Sequence, residues 1–145
     1  MKKIVFVCLG NICRSPMAEF VMKSLTDHYQ IESRATSSWE HGNPIHKGTQ
    51  GIFKIHGIDY DVTKSSQQIS KDDFEHFDYI LGMDESNVSD LLKICPSAYQ
   101  HKIYPFAEES VPDPWYTGDF EETYNRVLTG CQAWLARLEN ETKNG

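Results

Sequence analysis

No apolar run in this 145-residue chain approaches the ~20 residues that a helix needs to cross a bilayer, so no membrane contact is expected. Clusters of Lys and Arg are missing too, and the formal net charge is −7. A nucleic acid or an anionic lipid surface is therefore a poor partner, and any anion site must be assembled locally, against the overall field. Cysteine is sparse. The four residues at 8, 13, 95 and 131 fit no zinc-ligand spacing, so neither a metal nor a disulfide framework is expected. Repeats, low-complexity tracts and linkers are also lacking. A single domain over 1–145 is the expectation, since 39% hydrophobic and 24% charged residues suit one ordinary core. Met1-Lys2-Lys3 followed by apolar Ile4–Val7 has the outline of a leader. Its apolar part is too short and runs into a glycine turn, so it reads as a buried strand and a cytoplasmic location is the default.

What is present alternates between strand and helix. Ile4–Val7 is a β-branched run of the kind buried in a parallel sheet. Ser15-Pro16 predicts a helix start, with Ser15 as N-cap and Pro16 as first residue, and Ala18, Val21, Met22 and Leu25 carry it to about His28. Ile31–Trp39 reads as a second strand, or a strand and a loop. Ile45, Thr49, Ile52 and Ile55 mark a helix stopped by Gly57. Ser70 and Asp73 resemble a capping box before Phe74 and Phe77. Tyr79–Met83 is a third strand, Asp84–Cys95 a helix ended by Pro96, and Lys102–Tyr104 a brief fourth strand. A loop rich in proline and acid, 105–118, precedes a long helix whose apolar stripe runs from Phe120 to Leu138. The pattern predicts an α/β fold: a four-stranded parallel sheet with helices on both faces and a phosphate loop after strand 1. Ligands of such folds bind at the carboxyl ends of the strands, which brings Cys8 and the acidic loop towards one another.

Between the first strand and the first helix stands Cys8-Leu9-Gly10-Asn11-Ile12-Cys13-Arg14-Ser15, a Cys and an Arg separated by five residues. Consecutive backbone N–H groups in a tight loop make a concave anion site, and the helix N-terminus adds its own free N–H groups. Gly10 and Asn11 tolerate the positive φ that such loops use. Arg14 offers a planar fork to two phosphate oxygens, which Lys could not do. A field that binds phosphate also favours a thiolate, and a thiolate is both nucleophile and leaving group in a two-step transfer. The Ser15 hydroxyl is placed to hydrogen-bond the sulfur. The bland alternative, a buried Cys ending a strand beside a loop Arg, is weaker because strand, Gly-Asn turn, Ser and helix all fall in order. Cys95 and Cys131 read as inert core residues.

Those eight residues resemble the phosphate loop of the low-molecular-weight protein tyrosine phosphatases, at the same place in the chain. The likeness continues through Met17-Ala18-Glu19, Met83-Asp84-Glu85-Ser86-Asn87 and Asp113-Pro114-Trp115-Tyr116. It implies a phosphotyrosine-containing protein or peptide as substrate, a phosphocysteine intermediate on Cys8, no cofactor, and a monomer or weak dimer. Asp113 resembles the general acid that later activates water, although Asp-Pro on its own is commonly just a turn. Trp39, Trp115 and Tyr116 correspond to walls of a deep pocket for an aromatic ring; by themselves Trp115 and Tyr116 could equally pack on the base of their own loop. Asn11, Ser33 and Ser86 resemble residues that brace the phosphate loop. Lys64 departs from the family, which often carries His nearby, and Glu40 puts negative charge at the entrance. Cys13 lies near enough to Cys8 to trap its oxidised form as a disulfide, or is a packed thiol.

Rival readings remain on the same scaffold. An arsenate reductase needs two further cysteines close together, unlike Cys95 and Cys131. An arginine phosphatase of the family typically carries Thr where Ile12 stands. A reading of a different class, a non-hydrolytic cysteine phosphocarrier domain, would need neither Arg14 nor a separate acid.

Overall fold

The computed structural model describes residues 1–144. β1 (Lys3–Cys8) pairs in parallel with β2 (Gln30–Ala35) on one side and β3 (Tyr79–Gly82) on the other, and β4 (Ile103–Pro105) adds to β3. The sheet order is therefore β2-β1-β3-β4, with every strand running the same way. Ile4, Phe6 and Cys8 face one core and Val5 and Val7 the other, all buried, because side chains alternate across a strand and both faces are covered. That burial explains why β1 reads as an unbroken apolar run.

α1 (Arg14–Leu25), α2 (Lys47–His56) and α6 (Phe120–Asn144) cover the first face. Met17, Val21 and Met22 of α1 meet Val127, Cys131 and Leu138 of α6 there. α3 (Lys71–His76) and α4 (Glu85–Ile94) close the second through Phe74 and Leu91, packed with Ile69, Phe77 and Ile80. A 3₁₀ turn, Ser97–Lys102, leads into β4. The capping box of α3 is present, with Ser70 N–H on Asp73 Oδ2 at 2.9 Å and Asp73 N–H on Ser70 Oγ at 3.4 Å.

Two local expectations change, and one left open is settled. Helix α1 begins at Arg14 and ends at Leu25, and Ser15 is not its cap. The residue before the helix is Cys13, which makes no side-chain cap bond, since the Ser15 hydroxyl is engaged elsewhere. Pro16 still costs no helical bond, because the first four N–H groups of a helix have no internal acceptor. Of the two readings of 31–39, strand and loop is the one found, since β2 stops at Ala35 and Trp39 lies in turns beyond it. Within the acidic loop a short helix, α5 (Pro114–Thr117), is capped by Asp113 and ended by Gly118 at φ 72°.

Gly130 lies inside α6 directly beneath the Phe106 ring, and an added Cβ would overlap that ring. Phe106 is buried edge-on against Phe6, with centroids 5.7 Å apart, so it has little room to yield. Ala ordinarily favours a helix over Gly by about 1 kcal/mol, but overpacking a filled core costs about 1–3 kcal/mol. Gly130→Ala is therefore expected to lower the urea midpoint at unchanged slope; a higher midpoint would show that the ring can move aside.

Candidate active site

The loop after β1 is held by its carbonyl groups. Leu9 O accepts from Ser37 N and from Ser37 Oγ at 2.8 Å, and Gly10 O from Ser66 Oγ at 2.7 Å. Ile12 O accepts from His46 N at 2.9 Å, and Cys13 O from Thr49 Oγ1 at 3.2 Å. With these oxygens turned outward, the N–H groups of Gly10, Ile12, Cys13, Arg14 and Ser15 have no protein acceptor among the described residues. Unpaired amides around a concave floor are what an anion site requires.

Asn11 makes the bend. It is the non-glycine residue with positive φ (57°) among the described residues, a conformation that costs about 1–2 kcal/mol without glycine. Its carboxamide offsets this cost: Nδ2 donates to Ser15 Oγ (2.8 Å) and Ser33 Oγ (2.9 Å), and Oδ1 accepts Gln67 N–H (3.1 Å). Hydrogen bonds of this kind contribute about 1 kcal/mol each. The bend also turns the Asn11 N–H onto Cys8 Sγ at 3.2 Å, and Ser15 Oγ lies 3.0 Å from the same sulfur. Gly10 has no positive φ; a Cβ there would lie 3.3 Å from Glu40 Cγ, so the Glu40 side chain would have to give by a few tenths of an ångström.

The brace continues inward. Ser33 Oγ donates to Glu19 Oε1 at 2.6 Å, and Lys23 pairs with Glu19 Oε2 at 2.7 Å. Lys64 donates to Ser33 O at 3.0 Å and sits 3.7 Å from Glu19. Burial lowers its pKa, against the attraction of Glu19. Ser86 does not join this network. It lies on the exposed side of the first turn of α4 and makes no hydrogen bond to the loop, since that turn meets the site through Asp84; Ser66 supplies the serine contact instead. Ser66 gave no separable signal, since a lone serine in a polar segment is ordinary, and Glu19 stood out only within Met17-Ala18-Glu19, without a bracing role.

Arg14 is 3% exposed and crosses the ends of β1, β3 and the acidic loop. Its Nη1 donates to Asp84 Oδ2 (2.7 Å) and Val111 O (3.0 Å), and Nη2 approaches Asp113 Oδ2 at 3.5 Å. Burial opposes its charge, but Cys8, Asp84 and Asp113 together outweigh burial and raise its pKa. Asp84 serves twice, since Oδ1 also accepts Asn87 N–H at 2.7 Å to cap α4. The sequence placed Asp84 at the start of this helix, as its first residue; its capping bond and its pairing with Arg14 come from the structure. Asp113 Oδ1 accepts Trp115 N–H at 3.0 Å.

These pieces enclose a cleft of about 150 Å³, lined by Cys8 to Arg14 at its floor and by Trp39, Glu40, Asp113, Trp115 and Tyr116 around its mouth. The three rings are 78%, 57% and 78% exposed for Trp39, Trp115 and Tyr116, so they stand up as walls and do not pack under the loop. All four cysteines are buried free thiols. Burial, then the neighbouring Cys8, pushes the Cys13 thiol up to about 12, and burial raises Cys95 and Cys131 as well.

The sequence model of the family described as low molecular weight phosphotyrosine protein phosphatase matches residues 3–144. The chain is 38% identical over 154 aligned residues to the low molecular weight protein-tyrosine-phosphatase YfkJ of Bacillus subtilis, covering 97% of this chain and 98% of that protein. It is 44% identical over 141 residues to PtpA, a low molecular weight protein-tyrosine-phosphatase of Staphylococcus aureus, covering 90% of each. The crystal structure of SP-PTP, a low molecular weight protein tyrosine phosphatase from Streptococcus pyogenes, superposes with a TM-score of 0.93 at 63% identity. That alignment covers 95% of this chain and 93% of that one.

Of the four thiols, the Cys8 sulfur lines the cleft beside unpaired amides and Arg14, whereas Cys95 and Cys131 lie in packed cores. Brief exposure of native protein to iodoacetamide at neutral pH is expected to give one adduct, on Cys8, and inorganic phosphate should slow it. Peptide mass spectrometry checks this, and labelling that begins at Cys13 would contradict it.

Proposed function

The chain belongs to the low molecular weight phosphotyrosine protein phosphatase family and is a phosphatase; on that premise we propose that it hydrolyses phosphotyrosine monoesters through a phosphocysteine on Cys8. The observation that carries this reading is the convergence of the Cys8 sulfur, the unpaired loop amides, Arg14 and Asp113 on one cleft.

In the first step Cys8 Sγ attacks phosphorus as the ester P–O bond breaks. The Asp113 carboxyl gives its proton to the departing phenolate oxygen, so that no free anion is released. In the second step water attacks the phosphocysteine, Asp113 takes the proton from that water, and the S–P bond breaks to return the thiolate and inorganic phosphate. Ser15, 3.0 Å from the sulfur, donates a hydrogen bond to the leaving thiolate, as does the Asn11 N–H. Both Nη1 hydrogens of Arg14 are taken by Asp84 and Val111, which leaves Nε and an Nη2 hydrogen as a fork for two phosphate oxygens. Loop amides and this fork act where charge develops, and donors fixed in advance contribute most there.

The walls support tyrosine as the alcohol. The sulfur is at the floor of the cleft and Trp39, Trp115 and Tyr116 stand at its mouth, so a long aromatic ester reaches it while filling the space between rings. Ile12, 8% exposed, lines the floor where arginine phosphatases of the family typically have Thr. Against an arsenate reductase, Cys95 and Cys131 lie in different cores on opposite faces of the sheet. The partner implied is a phosphotyrosine protein or peptide in the cytoplasm, met by a monomer or weak dimer with no cofactor.

Purified protein is expected to hydrolyse p-nitrophenyl phosphate and a phosphotyrosine peptide, with phosphoserine and phosphoarginine peptides poor and arsenate not reduced. Cys8→Ser should abolish turnover; retained turnover would remove the phosphocysteine. Asp113→Ala should lower kcat/KM for phenyl phosphate by about 10²–10⁴-fold, and far less for phenols that leave readily as anions. Equal loss across the leaving-group series would rule out Asp113 as the acid.

A further inference from the structure

His46 does not line the cleft, yet it touches two of the segments that build it. Its backbone N–H donates to Ile12 O in the phosphate loop at 2.9 Å. Its Nδ1 accepts the Gly48 N–H at 3.0 Å, which caps α2 and fixes the plane of the imidazole. The ring then stacks on Phe120 at the start of α6, with centroids 5.2 Å apart and an interplanar angle of 16°. Its other contact is edge-on to Trp115, at 5.6 Å and 78°. Phe120 in turn lies directly on Gly48, where any Cβ would overlap its ring, so the stack has a fixed seat.

Trp115 needs such a support. It stands on a four-residue helix and is 57% exposed, and His46 is its aromatic partner among the described residues. An indole so placed would turn among rotamers and would have to be ordered at each binding event. The geometry points to His46 as a positioning residue that holds the Trp115 wall upright over the phosphate loop and thereby sets affinity for the aryl part of the ester. This rests on the tyrosine-ester reading above. The backbone N–H that holds Ile12 O stays in any side-chain variant, whereas the His46 ring acts on the wall, so loss of the ring weakens the hold on the aryl group in ground and transition states alike. KM rises while kcat stays.

Two variants separate the ring from the cap. His46→Asn keeps a good N-cap side chain and removes the ring, whereas His46→Phe keeps a ring and removes the cap acceptor. His46→Asn is expected to raise KM for p-nitrophenyl phosphate and for a phosphotyrosine peptide about 3- to 10-fold, the span of one aromatic contact. Its kcat should stay within about twofold, and so should inhibition by inorganic phosphate, which has no ring to be gripped. His46→Phe should melt lower than wild type while its KM stays within about twofold. In a Trp115→Ala background, His46→Asn should change KM no further.

An unchanged KM in His46→Asn overturns the inference. So does a parallel weakening of phosphate inhibition, which would place the effect in the loop backbone, or an equal rise in KM for both single variants. These results differ from failure of the parent reading, in which wild-type protein would hydrolyse no aryl phosphate at all.

Discussion

The carbonyl oxygens of the loop between Cys8 and Ser15 are tied to the chain around it, and most of the site depends on that. Ser37 and His46 come from the connection between β2 and α2, Thr49 from α2 itself and Ser66 from the connection between α2 and α3, and each takes one of these oxygens. A peptide group whose oxygen is held outward presents its N–H on the opposite side, so bonding the rim of the loop fixes the polarity of its floor. Asn11 then needs its left-handed conformation, and its carboxamide meets Ser15, Ser33 and the Gln67 amide to maintain it. The anion site is thus built before any anion arrives, which is the condition for fixed dipoles to act on a transition state.

A chain with a net charge of −7 must also keep its own acids from filling that site. Arg14 solves part of this by being shared: Asp84 and the Val111 carbonyl hold one nitrogen, so the guanidinium plane is set and its other edge is left to a ligand. Asp84 is anchored in turn by the helix it caps. Asp113 stands farther from Arg14, at 3.5 Å, and its second oxygen caps α5, so the same hydrogen bond aims the carboxyl group and positions Trp115. Short helices and caps here act as brackets for side chains.

Much of this was legible in the sequence. β1, the loop, the final helix and the α3 capping box all rest on local signals: a β-branched run, a Gly-Asn turn, a stripe at helical spacing, a Ser three residues before an Asp. Readings of a single hydroxyl were less secure. Ser15 before Pro16 looks like a helix cap, but the sulfur and Asn11 compete for the same oxygen and win, and the helix starts two residues earlier. Ser86 follows a family motif yet lies exposed, whereas Ser66, in a stretch with no pattern, reaches Gly10.

The sequence by itself determined the order of strands and helices, the chemistry of the Cys8–Ser15 loop and the family likeness, because these depend on neighbours in the chain and on periodicity. Tertiary structure alone decided which distant residues complete the site. Arg14 meets Asp84 and Asp113 across 70 and 99 positions, and His46 meets Trp115 only because α2 and α5 both lean on the start of α6. Such contacts are set by how parallel strands bring their carboxyl ends together, and no local pattern encodes them.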